Sequence, residues 1–217
     1  MTDRRQLHPS PADEAVLRAC LLAQLRYAVD AGIDVVQIRD RNLEARRLTT
    51  LVAEVMDFAR GTATRVLVND RVDVALAAGA DGVHLRSDSV PAAAVRSIVR
   101  SGFIIGRSIH TEAEARAAGE TVDYLLAGTI WPSPSKADER RLLGVDGLAR
   151  IVAAARVPVV AIGGVSVDRV REVGRTGAAG VAGIGLFLAP AESDRRGCRA
   201  TPLVALARSA RETFGIT

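Results

Sequence analysis

Short β-branched runs alternate with Ala- and Arg-rich stretches of helical spacing from Pro11 to the end of the chain. That alternation predicts βα units and a parallel sheet. The strands are expected at Val35–Arg39, Arg65–Asn69, Gly82–Arg86, Phe103–Ile109, Tyr124–Ile130, Pro158–Ile162 and Gly180–Leu188, and the helices near 11–31, 43–60, 71–78, 91–101, 111–119, 145–155, 167–176 and 201–214. One phrase recurs where a helix runs into a strand: Ala31-Gly32-Ile33-Asp34, Ala78-Gly79-Ala80-Asp81 and Thr176-Gly177-Ala178-Ala179. Glycine is the residue that closes a helix in the left-handed conformation, so the phrase marks a repeated module. Eight helices alternating with strands in a chain of 217 residues predict a compact (β/α)8 barrel, the TIM-barrel class of α/β fold. The segment Met1–Ser10 is polar where the first strand is due. The first strand is therefore expected to be truncated, with a few residues upstream of Thr2 omitted. No linker divides the chain, and 1–217 reads as a single domain.

Composition narrows the function. Hydrophobic residues make up 48% and charged residues 25%, enough for one full core. Aromatic residues are only 3%, which argues against a stacking platform for single-stranded nucleic acid. The net charge of +4 comes from dispersed arginines, a pattern that suits steering of small anionic substrates better than nucleic-acid binding. Cys20 and Cys198 show no metal spacing and imply no disulfide framework. No signal peptide is visible, and the longest apolar stretch, Ala178 to Ala191, is about 14 residues, short of the roughly 18 that suggest a membrane span. A cytoplasmic protein without membrane contact is expected.

In such a barrel the chemistry sits where strands end and loops begin. Period two puts Gln37, Arg39 and Arg41 on one face, and a buried face with two guanidinium groups needs an anion. Asn69-Asp70 offers a carboxylate beside an amide oxygen, a hard donor set suited to Mg²⁺, although Asp70 would equally serve as a cap for the next helix. Asp88 is a second candidate carboxylate, with a place at the next helix start as its competing reading. Ser108 and His110 share a face of the fourth candidate strand; Thr111-Glu112-Ala113-Glu114 reads as a capping box that leaves His110 at the barrel mouth as an acid–base group. His84, between Val83 and Leu85, reads as packed inside. Ser133, Ser135 and Lys136 lie in a Pro-stiffened loop able to donate to phosphate. Gly163, Gly164, Gly183 and Gly185 would bring backbone N–H groups to an anion, with a plain tight turn as the alternative. Together these groups describe two anion pockets at one barrel mouth, for a diphosphate leaving group and a second phosphorylated substrate.

Val36-Gln37-Ile38-Arg39, Val68-Asn69-Asp70-Arg71-Val72-Asp73, Ala80-Asp81-Gly82-Val83-His84-Leu85, Trp131-Pro132-Ser133-Pro134-Ser135-Lys136 and Val160-Ala161-Ile162-Gly163-Gly164 occur in that order. In them the chain resembles the thiamine phosphate synthase and thiazole tautomerase (TenI) superfamily, from Thr2 through Phe187. The resemblance implies a (β/α)8 barrel that joins hydroxymethylpyrimidine diphosphate to a thiazole phosphate and releases pyrophosphate with Mg²⁺. It implies further that Gln37, Arg39 and Asn69 meet the pyrimidine diphosphate and that Asp70 and Asp88 hold Mg²⁺. Ser133, Ser135 and Lys136 would contact the thiazole phosphate and pyrophosphate, and Gly164 and Gly185 would cradle the phosphate. Three positions depart from the pattern: Arg41 replaces a lysine, Arg86-Ser87 replaces Gly-Gln, and Gly185 replaces a serine. The segment Gly106-Arg107-Ser108-Ile109-His110 is more like the tautomerase branch, with His110 as its acid–base group. The synthase is the first reading, the tautomerase the second, and a non-catalytic barrel binding thiazole or thiamine phosphate the third. The partners expected are small phosphorylated substrates, with homo-oligomer formation left open.

Overall fold

A computed structural model describes residues 1–2, 13–133, 142–187 and 203–215. Its described strands are β1 (Val35–Ile38), β2 (Arg65–Asn69), β3 (Gly82–Leu85), β4 (Ile104–Ile109), β5 (Tyr124–Ala127), β6 (Val159–Ile162) and β7 (Gly180–Ala182). The described α-helices are α1 (Glu14–Asp30), α2 (Ala45–Ala59), α3 (Val72–Ala77), α4 (Ala92–Arg96), α5 (Glu112–Ala118), α6 (Gly144–Ala154), α7 (Val170–Gly174) and α8 (Leu203–Phe214). Strand order in the sheet is sequential, β1 through β7, and the pairs β1–β2, β4–β5, β5–β6 and β6–β7 are parallel. The architecture is the α/β, TIM-barrel-like arrangement that the alternation predicts.

The chain forms two compact units, one of residues 1–83 with 184–207, the other of residues 84–183 with 208–217. In the first, α2 buries Leu48, Leu51, Val52, Val55 and Ala59, a helical stripe at spacings of three and four. Val66, Leu67 and Val68 of β2 are wholly buried, as strands covered on both faces are. The recurring glycine does what its position predicts. Gly32 and Gly79 have φ of 72° and 67°, and Ile33 N–H returns to Ala28 O and Ala80 N–H to Ala75 O at 3.0 and 2.9 Å. These are the long-range bonds of a Schellman cap. The Asp81 carboxylate that follows accepts Val66 N–H at 2.8 Å. In the second unit Asp123 does the same for Ile105 N–H at 2.6 Å.

Several bounds differ from the periodic reading. β5 ends at Ala127, not Ile130, because the backbone leaves the ladder there: Ile130 N–H bonds Ile162 O at 3.1 Å and Trp131 N–H bonds Gly163 O at 3.0 Å. β7 has three residues, and Gly185–Phe187 form a 3-10 turn where strand was expected up to Leu188. Apolar residues continue past both ends, so hydropathy alone extends the strands. Thr2 lies beside β1, its N–H donating to Gln37 O at 2.9 Å and its hydroxyl accepting Arg39 N–H at 2.9 Å. Cys20 is buried on α1, and Cys198 lies outside the described residues. No described helix is long and apolar enough to cross a membrane.

Candidate active site

In the first unit, Gln37 is 6% exposed and its Nε2 donates to Asn69 Oδ1 at 3.0 Å. The two amides come from adjacent parallel strands, near or at their C-terminal ends. With that bond made, the pair keeps an amide oxygen on Gln37 and an NH₂ on Asn69, one acceptor and one donor. Arg39 follows β1, half-buried, its backbone fixed by Thr2. Arg41 does not share its face. The strand stops at Ile38 and the chain turns, with Asp40 Oδ1 accepting the N–H groups of Asn42 and Leu43 at 3.0 and 3.2 Å; Arg41 is exposed. The two-guanidinium buried face is thereby corrected.

Asp70 has φ of +63°, the one positive value at a described residue other than glycine. Arg71 N–H closes a three-residue turn on Asn69 O at 2.8 Å around it. Aspartate tolerates this region better than most side chains, and such positions are retained where the surroundings demand them. The capping alternative fails: the residue preceding α3 is Arg71, and no side chain caps the helix. Arg71 instead grips Asp73 through Nε and Nη2 at 2.8 and 2.6 Å, and that hydrogen bond holds the Asp73 carboxyl below the ordinary carboxylate range.

In the second unit, Asp88 also serves no cap, since α4 starts after Pro91 without a side-chain bond. Its Oδ2 pairs with Arg86 Nη2, so one of the residues that departs from the family pattern puts a cation on a carboxylate expected to hold Mg²⁺. Both carboxylates are hard oxygen donors, and Mg²⁺ takes few protein ligands when water and phosphate complete its shell. Among the described residues no group of three or more His, Cys, Asp or Glu is gathered for a metal. Each carboxylate, taken by itself, fits an ion shared with a phosphorylated substrate and not a closed protein cage.

His110 follows β4. Its N–H donates to Glu114 Oε2 at 2.5 Å, inside the expected capping box, in which Glu114 N–H bonds Thr111 Oγ1 at 3.2 Å. Its Nδ1 lies 2.5 Å from the Gly128 carbonyl. A carbonyl only accepts, so Nδ1 carries the proton and the neutral ring keeps a basic Nε2. Ser108 is half-buried, with Oγ 2.8 Å from His84 Nε2. His84 is 1% exposed, inside as expected, and its Nδ1 is 2.8 Å from the Tyr124 hydroxyl. The sequence reading singled out neither Tyr124 nor Gly106 for this site. A glycine in mid-strand was the available signal, for it marks a close approach: a Cβ on Gly106 would stand 2.2 Å from Tyr124 Cζ.

Gly163 and Gly164 have φ of 101° and 62°. A Cβ on Gly163 would meet Thr129 Cγ2 at 2.5 Å, and one on Gly164 would meet Pro132 O at 2.6 Å. The glycines let the loop after β5 lie against the turn after β6, and their N–H groups donate to no acceptor among the described residues. Arg169 braces this turn, donating to Gly164 O at 2.8 Å with its guanidinium 4.8 Å from the Trp131 ring centre. Ser133 is half-buried in the same loop; Ser135 and Lys136 lie outside the described residues. Gly183 is buried at the end of the second unit. Gly185, in the first unit, is exposed, and nothing stands within 4 Å of the place its Cβ would take.

A family profile described as "Thiamine monophosphate synthase" matches residues 11–187. A thiamine-phosphate synthase of Methanoculleus marisnigri is 41% identical over 158 residues, 72% of this chain and 75% of its own. One from Anaeromyxobacter dehalogenans is 38% identical over 191 residues, 88% of this chain and 86% of its own. The solved structure of a thiamine phosphate pyrophosphorylase from Pyrococcus furiosus is similar with a TM-score of 0.76 and 34% identity, over 89% of this chain and 91% of that one.

Proposed function

The chain belongs to the thiamine monophosphate synthase family, and from that premise we propose that it is a transferase coupling hydroxymethylpyrimidine diphosphate to a thiazole phosphate. The bond from the pyrimidine methylene carbon to diphosphate oxygen breaks, its electron pair leaves with pyrophosphate, and the thiazole nitrogen supplies the pair for the new C–N bond. The single observation that carries this reading is the family match over residues 11–187, which takes in every candidate residue from Gln37 to Gly185.

The geometry supports each half by itself. An aminopyrimidine edge sets an NH₂ donor beside a ring-nitrogen acceptor, and the Gln37–Asn69 pair retains one acceptor and one donor to answer it. Arg39 follows on the same strand and suits the diphosphate. In the second unit, the N–H groups of Gly163 and Gly164, with Ser133, suit the thiazole phosphate, and Ser135 and Lys136 join them by resemblance. Gly183 is assigned to the same phosphate through its backbone alone, and Gly185, in the first unit, to an anion by resemblance alone. Arg41, exposed, acts at long range on an incoming anion. His110, with Nε2 as its basic atom, is the acid–base group of the second, tautomerase reading, in which it would take a proton from the thiazole ring and return it at another ring atom.

Mg²⁺ is the proposed cofactor; when bound, it supplies positive charge for the leaving diphosphate. Asp70, held at its unusual backbone angle, is the ligand proposed in the first unit, and Asp88, on release from Arg86, the candidate in the second. We assign the whole chain to one catalytic domain working in the cytoplasm. The test is direct: purified protein with both phosphorylated precursors and Mg²⁺ yields thiamine phosphate and an equal amount of pyrophosphate. Tautomerisation of the thiazole without coupling would overturn the reading.

A further inference from the structure

The triad Tyr124–His84–Ser108 lies wholly in the second unit, and its hydrogen bonds have a direction that can be derived. Tyr124 reaches His84 across β4 because Gly106, its register partner, has no side chain; any Cβ there would stand 2.2 Å from Tyr124 Cζ. The rings sit with centroids 5.6 Å apart and tilted by 33°, and the hydroxyl meets Nδ1 at 2.8 Å. Among the described residues, Nδ1 is the hydroxyl's hydrogen-bond partner. If the hydroxyl accepted a proton from Nδ1, its own proton would be buried without an acceptor, which is costly. Tyr124 therefore donates. Burial also pushes its phenol well above the ordinary tyrosine value, so it keeps the proton it donates.

Nδ1 then accepts, and a neutral imidazole must carry its proton on Nε2. Nε2–H donates to Ser108 Oγ over 2.8 Å. With its oxygen occupied as an acceptor, Ser108 has its own proton left to give. We propose that Tyr124, through the tautomer of His84, is a positioning residue that makes Ser108 a permanent hydrogen-bond donor to an anionic phosphate or diphosphate oxygen of the substrates. The inference rests on the transferase reading for the identity of that anion, while the direction of the chain Tyr124 to His84 to Ser108 rests on geometry alone.

The first experiment needs no turnover. With ¹⁵N-histidine, the chain's three histidines give a simple spectrum, and His84→Gln assigns the signal of interest. The expected result is His84 protonated on Nε2 only, with Nδ1 shifted by an accepted hydrogen bond that Tyr124→Phe removes. Protonation on Nδ1, alone or together with Nε2, overturns the proposal whatever the protein catalyses. The second is a double-mutant cycle on kcat/KM for thiamine phosphate formation. Ser108→Ala removes a donor to a charged acceptor and should cost about 10- to 100-fold. Tyr124→Phe should cost about 3- to 10-fold in the parent and nothing further in the Ser108→Ala background. Equal losses in both backgrounds mean that Tyr124 acts on packing and not through Ser108, and overturn it. Gly106→Ala, which displaces the ring, should reproduce the Tyr124→Phe histidine signature. A failed coupling assay with the expected spectrum would count against the transferase reading and leave the triad's direction standing.

Discussion

Replacing Gly164 by alanine should separate two costs that usually come together. At φ of 62° an alanine pays for the left-handed backbone, about 1–2 kcal/mol. Its Cβ would also stand 2.6 Å from Pro132 O and 2.7 Å from Trp131 Cβ, closer than carbon atoms pack. Relieving that contact means moving loop backbone and not a flexible side-chain tip, and overpacking of this kind costs about 1–3 kcal/mol more. The sum is about 2–5 kcal/mol. Gly61 supplies the control: its φ is 79°, and nothing lies within 4 Å of where its Cβ would be. Gly61→Ala should therefore show the backbone cost alone. Urea unfolding midpoints at constant slope measure both variants, and the excess of Gly164→Ala over Gly61→Ala is the contact. At about 2–4 °C per kcal/mol for a chain of this size, the excess should lower the melting temperature by about 2–12 °C beyond the control. Equal midpoints would refute the close approach of the loop to Gly164, and with it the account of why the turn after β6 requires glycine.

Asp70→Asn should keep the fold, because asparagine tolerates the same backbone region, yet remove Mg²⁺-dependent pyrophosphate release; normal release would take Asp70 out of the metal assignment. Arg86→Ala frees the Asp88 carboxylate from an exposed ion pair of small energy, so the Mg²⁺ concentration for half-maximal rate should fall, by no more than about fivefold, and an unchanged value would exclude Asp88 as a ligand. Thr111→Ala breaks the box on α5 and should cost about 0.5–2 kcal/mol of stability by denaturant titration, against no loss if the cap is idle. The Arg71–Asp73 pair lowers the carboxyl's pKa, so its stabilisation is present above the ordinary carboxylate value and disappears as pH falls through the depressed one; Arg71→Ala should raise the Asp73 midpoint in an NMR titration, and an unmoved midpoint would deny the pair.

What the sequence revealed, and what it concealed, divides along the range of the forces involved. Gly32, Gly79 and the Thr111–Glu114 box are readable because helix caps are local: the partners sit within a few residues and each residue type has one favoured use there. The strand-end candidates are readable for the same reason, each motif being a contiguous run closing a strand. Strand ends themselves are not local. Ile130 is as apolar as any residue of β5, and it leaves the strand because its N–H takes Ile162 O, an acceptor 32 positions along the chain whose place only the folded sheet fixes. Arg41 fails to join Arg39 because Asp40 turns the backbone, a choice the period-two count cannot see.

Ser108 is the instructive residue. Its position on a strand-end face was legible, but whether its hydroxyl gives or takes a proton is set by Tyr124, 16 residues away, acting through His84, 24 residues away on another strand. A hydroxyl has no preferred role of its own; its neighbours choose it. Gly106 carried the only trace of that arrangement in the linear sequence, as a missing side chain in the middle of an otherwise well-filled strand. An inference about which residue types can serve a phosphate is therefore within reach of a sequence, whereas the direction in which a proton is offered to it requires the three strands to be in place.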